Sequence, residues 1–254
     1  MKRILATGLA VAAAAIAYAW WRGGEETAAL GEPLVFGELR HRTIPAASDG
    51  APLLVLLHER GGSPRELLWP ELVDALDAQG SNAPGLLLVD GGDHSYYHDR
   101  ADFDWGTHIL DEAIPAARDR LKTDPGREAI GGFSMGGFGA LDLARQRRFC
   151  AVGAHSPALW EDGGETPEGA FDHAEDFERH DVLEAAQSDP NLFRGAQVWL
   201  DVGLDDPFRQ NTVRLGALVD APAKTPPGDH STAYWRDHVD EYVQFYARAL
   251  KTCR

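Results

Sequence analysis

The sequence predicts an α/β fold with a mainly parallel central sheet and helices on both of its faces. Two observations carry this. Continuous apolar runs, Leu53-Leu54-Val55-Leu56-Leu57 and Leu86-Leu87-Leu88-Val89, are expected of strands buried on both faces of a parallel sheet. Segments of helical period lie between such runs, and strand–helix alternation implies parallel strands joined by crossover helices. A chain of 254 residues, 44% of them apolar, suits one large domain better than two small ones.

The elements follow in order. Residues 33–44 read as a first strand or hairpin, and residues 52–58 as a buried strand. A helix is expected over 64–78, with Pro70 either kinking it or restarting it at a first-turn position. Residues 85–90 are the next strand, and 91–105 a polar, aromatic loop. Ile109, Leu110, Ala113, Ile114, Ala117 and Leu121 share one face of a helix that Pro115 interrupts. A strand at 127–133 runs directly into a helix at 135–147, and 150–156 is a further strand. Residues 157–195 are acidic and Gly-containing and break the rhythm as an insertion; 196–202 restores it with Val198, Leu200 and Val202 alternating. A short edge strand is expected at 221–227, weakened by its prolines. In the last helix Trp235, Val239, Tyr242, Tyr246 and Ala249 recur at helical spacing.

Ahead of this domain, residues 32–254, lie a polar linker over 23–31 and a distinctive segment over 1–22. Met1-Lys2-Arg3 is basic, Ile4 to Trp21 carries no charge, and Ala17-Tyr18-Ala19 has the small-x-small form of a signal-peptidase site. The same segment could stay uncleaved as a membrane anchor, short for ~30 Å of hydrocarbon, with Trp20, Trp21 and Arg22 at the interface. Both readings place the protein outside the cytoplasm, secreted or anchored, with the membrane a partner only through that segment. There Cys150 and Cys253 either pair or remain free. Neither has Cys or His neighbours at metal spacing. The formal net charge of −16 argues against nucleic acid as a partner, because phosphates would be repelled.

Gly132-Phe133-Ser134-Met135-Gly136 matches G-x-S-x-G between a strand and a helix, the setting of the nucleophile elbow in α/β-hydrolases. The need is steric: the serine sits on a strained turn whose neighbours two residues away must lack side chains. The helix that follows points its N-terminus at the reaction centre and supplies the Met135 N–H for an oxyanion. A serine hydroxyl needs a base to take its proton, and in this fold the acid and then the histidine follow the serine. Asp201, Asp205 and Asp206 cluster at a strand end, and His230 lies in a loop just before the last helix.

The segment from Gly131 to Ala140, Gly-Gly-Phe-Ser-Met-Gly-Gly-Phe-Gly-Ala, resembles the nucleophile segment of the Putative esterase family of α/β-hydrolases. That family holds esterase D (S-formylglutathione hydrolase), feruloyl and acetylxylan esterases and the antigen 85 mycolyltransferases. Its acid segment, Gly-x-x-Asp, is similar to Gly203-Leu204-Asp205-Asp206, which implies Asp206 rather than Asp205 as the acid. Its histidine segment resembles Gly228-Asp229-His230 followed by Tyr234-Trp235, and Asp111 to Pro115 resembles its acidic-then-Pro helix. The resemblance spans roughly residues 53–250. It implies a serine esterase with Ser134, Asp206 and His230 as triad, the Met135 and Arg60 N–H groups as oxyanion donors, a small-molecule, glycan or lipid ester as substrate, and no metal or organic cofactor.

One departure concerns the oxyanion loop. Where the family reads Leu-His-Gly-x-Gly-Gly, this chain reads Leu57-His58-Glu59-Arg60-Gly61-Gly62. A glutamate replaces a glycine, and its charge would oppose a nearby oxyanion. It is expected to point outward, onto Arg60 or another cation. His58 is expected to be structural. Asp90, Asp93, His94 and His98 read as a polar loop rather than a metal site, and His155 and Ser156 as packing or lining. Glu59, Tyr96, Tyr97, Trp105 and Trp235 are the candidate substrate contacts. Two rival functions stand beside hydrolysis. One is acyl transfer to a sugar or alcohol, which differs only in the second nucleophile. The other is a catalytically silent binding protein on the same scaffold.

Overall fold

The computed structural model describes residues 31–253. Seven strands form one sheet: β1 (Glu32–Phe36), β2 (Leu39–Ile44), β3 (Leu53–Leu57), β4 (Gly85–Val89), β5 (Glu128–Phe133), β6 (Ala151–His155) and β7 (Gln197–Asp201). Their spatial order is β1-β2-β4-β3-β5-β6-β7. The five strands from β4 to β7 pair in parallel. The β1–β2 hairpin adds itself antiparallel to β4 at one edge. The alternatives for residues 33–44 thus resolve to a hairpin.

Why the inner strands read as unbroken apolar runs is visible in the two cores. Leu53, Val55 and Leu57 enter the core on one face of the sheet, while Leu54 and Leu56 enter the core on the other. Successive side chains of a strand point to opposite faces, so a strand covered on both sides has no polar phase. One face carries α1 (Pro70–Asp77) and the long C-terminal α8 (Thr232–Thr252). The other carries α3 (Ile114–Leu121), α4 (Met135–Gln146), α6 (Val182–Ser188) and α7 (Arg209–Leu218), and the short α2 (Trp105–His108) leads towards α3.

Several expectations need correction. The helix expected over 64–78 begins only at α1, with Pro70 in its first turn, where a missing N–H costs nothing. Residues 64–69 form turns instead. Between α2 and α3 the chain widens into a π-helical turn, Ile109–Ala113, just before Pro115. Proline lacks the helical N–H and its ring crowds the preceding turn, and the wider turn makes room. The insertion at 157–195 stands as expected and holds α5 (Ala174–His180) and α6, each capped by a side chain, His173 and Asp181. The edge strand expected at 221–227 shrinks to one parallel bridge, Lys224 to Asp201, because the flanking prolines cannot donate to a ladder.

Cys150 and Cys253 are bonded, with Cα atoms 5.6 Å apart, and tie the end of α8 to the start of β6. No helix among the described residues is long and apolar enough to cross a membrane. The export or anchor segment expected at 1–22 lies outside the described residues.

Candidate active site

Ser134 occupies the sharp turn between β5 and α4, with φ 51° and ψ −112°. Such a conformation is costly for a residue with a side chain and persists only where its surroundings impose it. They do so here. A side chain at Gly132 would strike the Gly136 carbonyl, and one at Gly136 would strike the Leu57 carbonyl of the neighbouring strand. Only glycines let the turn close this tightly. The turn is then pinned by its backbone: Ser134 N–H donates to the His155 carbonyl at 3.0 Å, and the Ser134 carbonyl accepts from Phe138 and Ala158.

His230 and Asp206 meet this serine from elsewhere in the chain. His230 Nε2 lies 2.8 Å from Ser134 Oγ, and His230 Nδ1 lies 2.8 Å from Asp206 Oδ2. A carboxylate only accepts, so Nδ1 carries the proton and Nε2 is free to take one from the hydroxyl. Asp206 is buried, and its other oxygen accepts from the Phe208 N–H at 2.8 Å. Asp205 is exposed, its N–H given to the Gly228 carbonyl. The register of that loop therefore turns Asp206, not Asp205, towards His230. The imidazole edge is flanked by Phe208 and Trp235, with ring centroids at 5.2 and 5.4 Å.

The Met135 N–H opens α4, where the first amides of a helix have no intrahelical acceptor. The Arg60 N–H lies in the loop after β3. Neither amide donates to a protein acceptor among the described residues. His58 shapes this loop. It is fully buried, its Nδ1 donates to the Glu59 carbonyl at 2.8 Å, and its Nε2 accepts from the Gly91 N–H at 3.1 Å. Both nitrogens are committed, so the ring is neutral, and burial holds its pKa below the ordinary value. It is structural, as expected from its position.

Glu59 departs from the expected outward pose. No ion pair with Arg60 or any other cation forms among the described residues, and Arg60 reaches instead to the Glu168 carbonyl. The Glu59 carboxylate folds back over Gly62, where a Cβ would lie 2.9 Å from Cδ and 3.0 Å from Oε2. Gly62 has no side chain to prevent this. Oε2 is buried without a hydrogen-bond partner. A buried acceptor left unpaired costs about 1–3 kcal/mol, and desolvation raises this carboxyl's pKa.

The aromatic candidates divide. Tyr97 is wholly buried and donates its hydroxyl to the His58 carbonyl at 2.9 Å, so it braces the oxyanion loop and lines no pocket. Tyr96 is buried against Phe138, Trp160 and Phe171. Trp105 is half-buried over Gly92 and against Phe103, away from the serine's own contacts. Of these four candidates Trp235 is the one that packs on the His230 ring, though it is only 3% exposed. Sequence reasoning missed Trp160 and Phe208, a half-buried pair 5.5 Å apart that joins the insertion to the His230 ring. The position of Phe208, two residues after the acid, was the available signal.

The polar loop residues have separate partners. Asp90 accepts from the Arg40 and Gly92 amides, Asp93 pairs with His94 at the surface, and His98 lies buried against Asp176 of α5. Behind the elbow sits a second, sealed histidine–aspartate pair. His155 Nδ1 lies 2.6 Å from Asp201 Oδ1, and His155 Nε2 lies 2.9 Å from the Tyr246 hydroxyl. Asp201 also accepts from Trp199, Tyr234 and Tyr242, at 2.8, 3.0 and 2.7 Å. Its pKa is held below the ordinary value: burial opposes this, but His155 and the tyrosine hydroxyls outweigh it.

A family model described as Putative esterase matches residues 101–246, a span that contains Ser134, Asp206 and His230. The chain belongs to this esterase family. Solved structures agree on the α/β-hydrolase fold of the esterase. A ferulic acid esterase superposes with a TM-score of 0.72 at 18% identity, covering 83% of this chain and 92% of that one. S-formylglutathione hydrolase from Agrobacterium tumefaciens gives 0.66 at 15%, covering 86% and 98%. MPT51 of Mycobacterium tuberculosis gives 0.64 at 16%, covering 87% and 98%. At these identities the likeness establishes the fold and leaves the substrate to the site itself.

Proposed function

We propose that this esterase cleaves carboxylic esters through an acyl-enzyme on Ser134. The single observation that carries the reading is the unbroken chain from Ser134 Oγ through His230 to Asp206, with both links at 2.8 Å, presented on a strained strand–helix turn. His230 takes the serine proton as Oγ attacks the ester carbonyl carbon. The resulting oxyanion is met by the Met135 and Arg60 N–H groups, which have no other protein acceptor among the described residues. Asp206 orients the imidazole and stabilises its protonated form. Collapse of the intermediate breaks the C–O bond, and His230 gives its proton to the leaving alcohol. Water, deprotonated by His230, then attacks the acyl carbon, and the acid departs as Ser134 recovers its proton.

Mixing the enzyme with p-nitrophenyl acetate tests this. A burst of p-nitrophenol equal to the enzyme concentration, absent in Ser134→Ala, is expected. A folded chain that turns over no acetyl, butyryl, feruloyl or long-chain ester would instead be a binding protein on a hydrolase scaffold. Acylated sugar formed in place of free acid, when a sugar acceptor is added, would reassign the second step to acyl transfer. Export is part of the same reading and is supported by the Cys150–Cys253 bond, since disulfides persist in oxidising compartments. Fusion of residues 1–22 to a reporter should carry it out of the cytoplasm; a reporter left inside would remove that part.

A further inference from the structure

We propose that Glu59 is the specificity residue of this site and selects esters that carry a hydrogen-bond donor, a hydroxyl or an ammonium, next to the scissile bond. The inference rests on the esterase reading above and adds the substrate class. Three observations meet at this residue. It is placed in the loop between β3 and α1, directly beside Arg60, whose N–H faces the reaction centre in the proposed scheme. Its carboxylate is folded inward over Gly62 rather than out to solvent. Its Oε2 is buried and unpartnered, and no cation pairs with it among the described residues.

A carboxylate in the loop that carries an oxyanion donor is a liability for ester cleavage unless something neutralises or engages it. The protein does not. Among the groups that act on it, Glu66 repels its charge. A substrate hydroxyl or ammonium would supply the missing donor, and a site built around an unpaired acceptor discriminates strongly against analogues that lack the donor. The residue is only half-buried, so part of its side chain stays open to a bound molecule.

The test compares initial rates on four acetate esters of similar size: 2-hydroxyethyl, 2-(dimethylammonio)ethyl, 2-methoxyethyl and propyl. Turnover of any of the four by the wild type, abolished in Ser134→Ala, reports on the esterase reading alone; a folded wild type inert on all four would sink that reading. Given turnover, the wild type should favour the hydroxyl or the ammonium ester over the methoxy ester by about tenfold or more in kcat/KM. Which of the two is favoured identifies the donor. Glu59→Gly should collapse that ratio towards one. Glu59→Gln, which keeps the shape and an acceptor oxygen, should retain part of a hydroxyl preference and lose an ammonium preference. Equal rates on all four esters in the wild type, or an unchanged ratio in Glu59→Gly, would overturn the proposal.

Discussion

Two of the histidine–aspartate pairs of this protein, His230–Asp206 and His155–Asp201, share their chemistry and differ in their surroundings. In both, a carboxylate oxygen accepts from an imidazole Nδ1, at 2.8 Å for His230–Asp206 and 2.6 Å for His155–Asp201. The His230 side chain is 24% exposed and its second nitrogen reaches a serine hydroxyl on a strained turn. The His155 side chain is fully buried and its second nitrogen ends on the Tyr246 hydroxyl, deep in the core. Asp201 is saturated by Trp199, Tyr234 and Tyr242, so that pair has no capacity left for a substrate. A histidine–aspartate pair therefore becomes a candidate for catalysis through what its outer nitrogen faces, not through the pair itself. The inner pair instead joins the end of β6, the end of β7 and α8, the three elements that frame the His230 loop.

The largest separation between the pairs is expected in activity. His230→Ala should lower kcat by roughly 10³-fold or more with the thermal midpoint nearly unchanged, because members of such a unit fail together. Asp206→Asn should cost heavily and Asp205→Asn little. Steady-state kinetics with circular dichroism on each variant checks this, and a more sensitive Asp205 would return the loop to the other register.

At the inner pair the loss should move to stability. Asp201→Asn removes the charge that His155 and three further donors engage, and breaking a buried pair costs about 3–5 kcal/mol. Urea unfolding should show that loss, while kcat stays within about tenfold in the folded fraction. A 10³-fold fall in kcat at unchanged stability would make the inner pair part of the machinery and erase the distinction.

The far end of the same helix gives a smaller effect. Replacing Cys150 and Cys253 together by alanine releases a loop of 103 residues and should cost about 2–4 kcal/mol, with kcat/KM nearly intact. If activity fell with stability retained, α8 would be transmitting strain from its C-terminus to His230.

A comparable effect, seen only on acidification, comes from a histidine with no carboxylate on its ring. His41 Nδ1 accepts from the Asp90 N–H, Nε2 meets His108, and burial lowers its pKa from the ordinary 6.5 to about 4. Between those values the unfolded chain holds a proton that the folded chain does not. The stability that the neutral His41 contributes is thus complete above pH 6.5 and is lost as pH drops towards 4, by on the order of 1.4 kcal/mol per pH unit. Unfolding free energies measured from pH 7 to 4 should fall less steeply in His41→Gln than in the wild type, and an unchanged slope would remove His41 from the account.

Much of the fold and the site is legible in the amino-acid sequence. The apolar runs of β3 and β4 and the stripe of α8 betray their burial, because one-dimensional periodicity records which faces are covered. The elbow at Ser134 is legible too, since its need for glycine two residues away on each side is local. The helix start at Pro70, the π-helical turn before Pro115 and the helices inside 157–195 are not. In these places propensity leaves several short-range solutions of similar energy, and tertiary packing chooses.

By itself the sequence determined whatever depends on neighbours in the chain: the parallel sheet, the turn that strains Ser134, and the order of serine, acid and histidine. Tertiary structure alone decided that Cys150 meets Cys253, that Tyr97 braces a loop instead of lining a pocket, and that Glu59 turns inward. Each of those outcomes is a contact between segments distant in sequence or a choice of rotamer within a packed site. Its energy depends on distances that no spacing along the chain encodes.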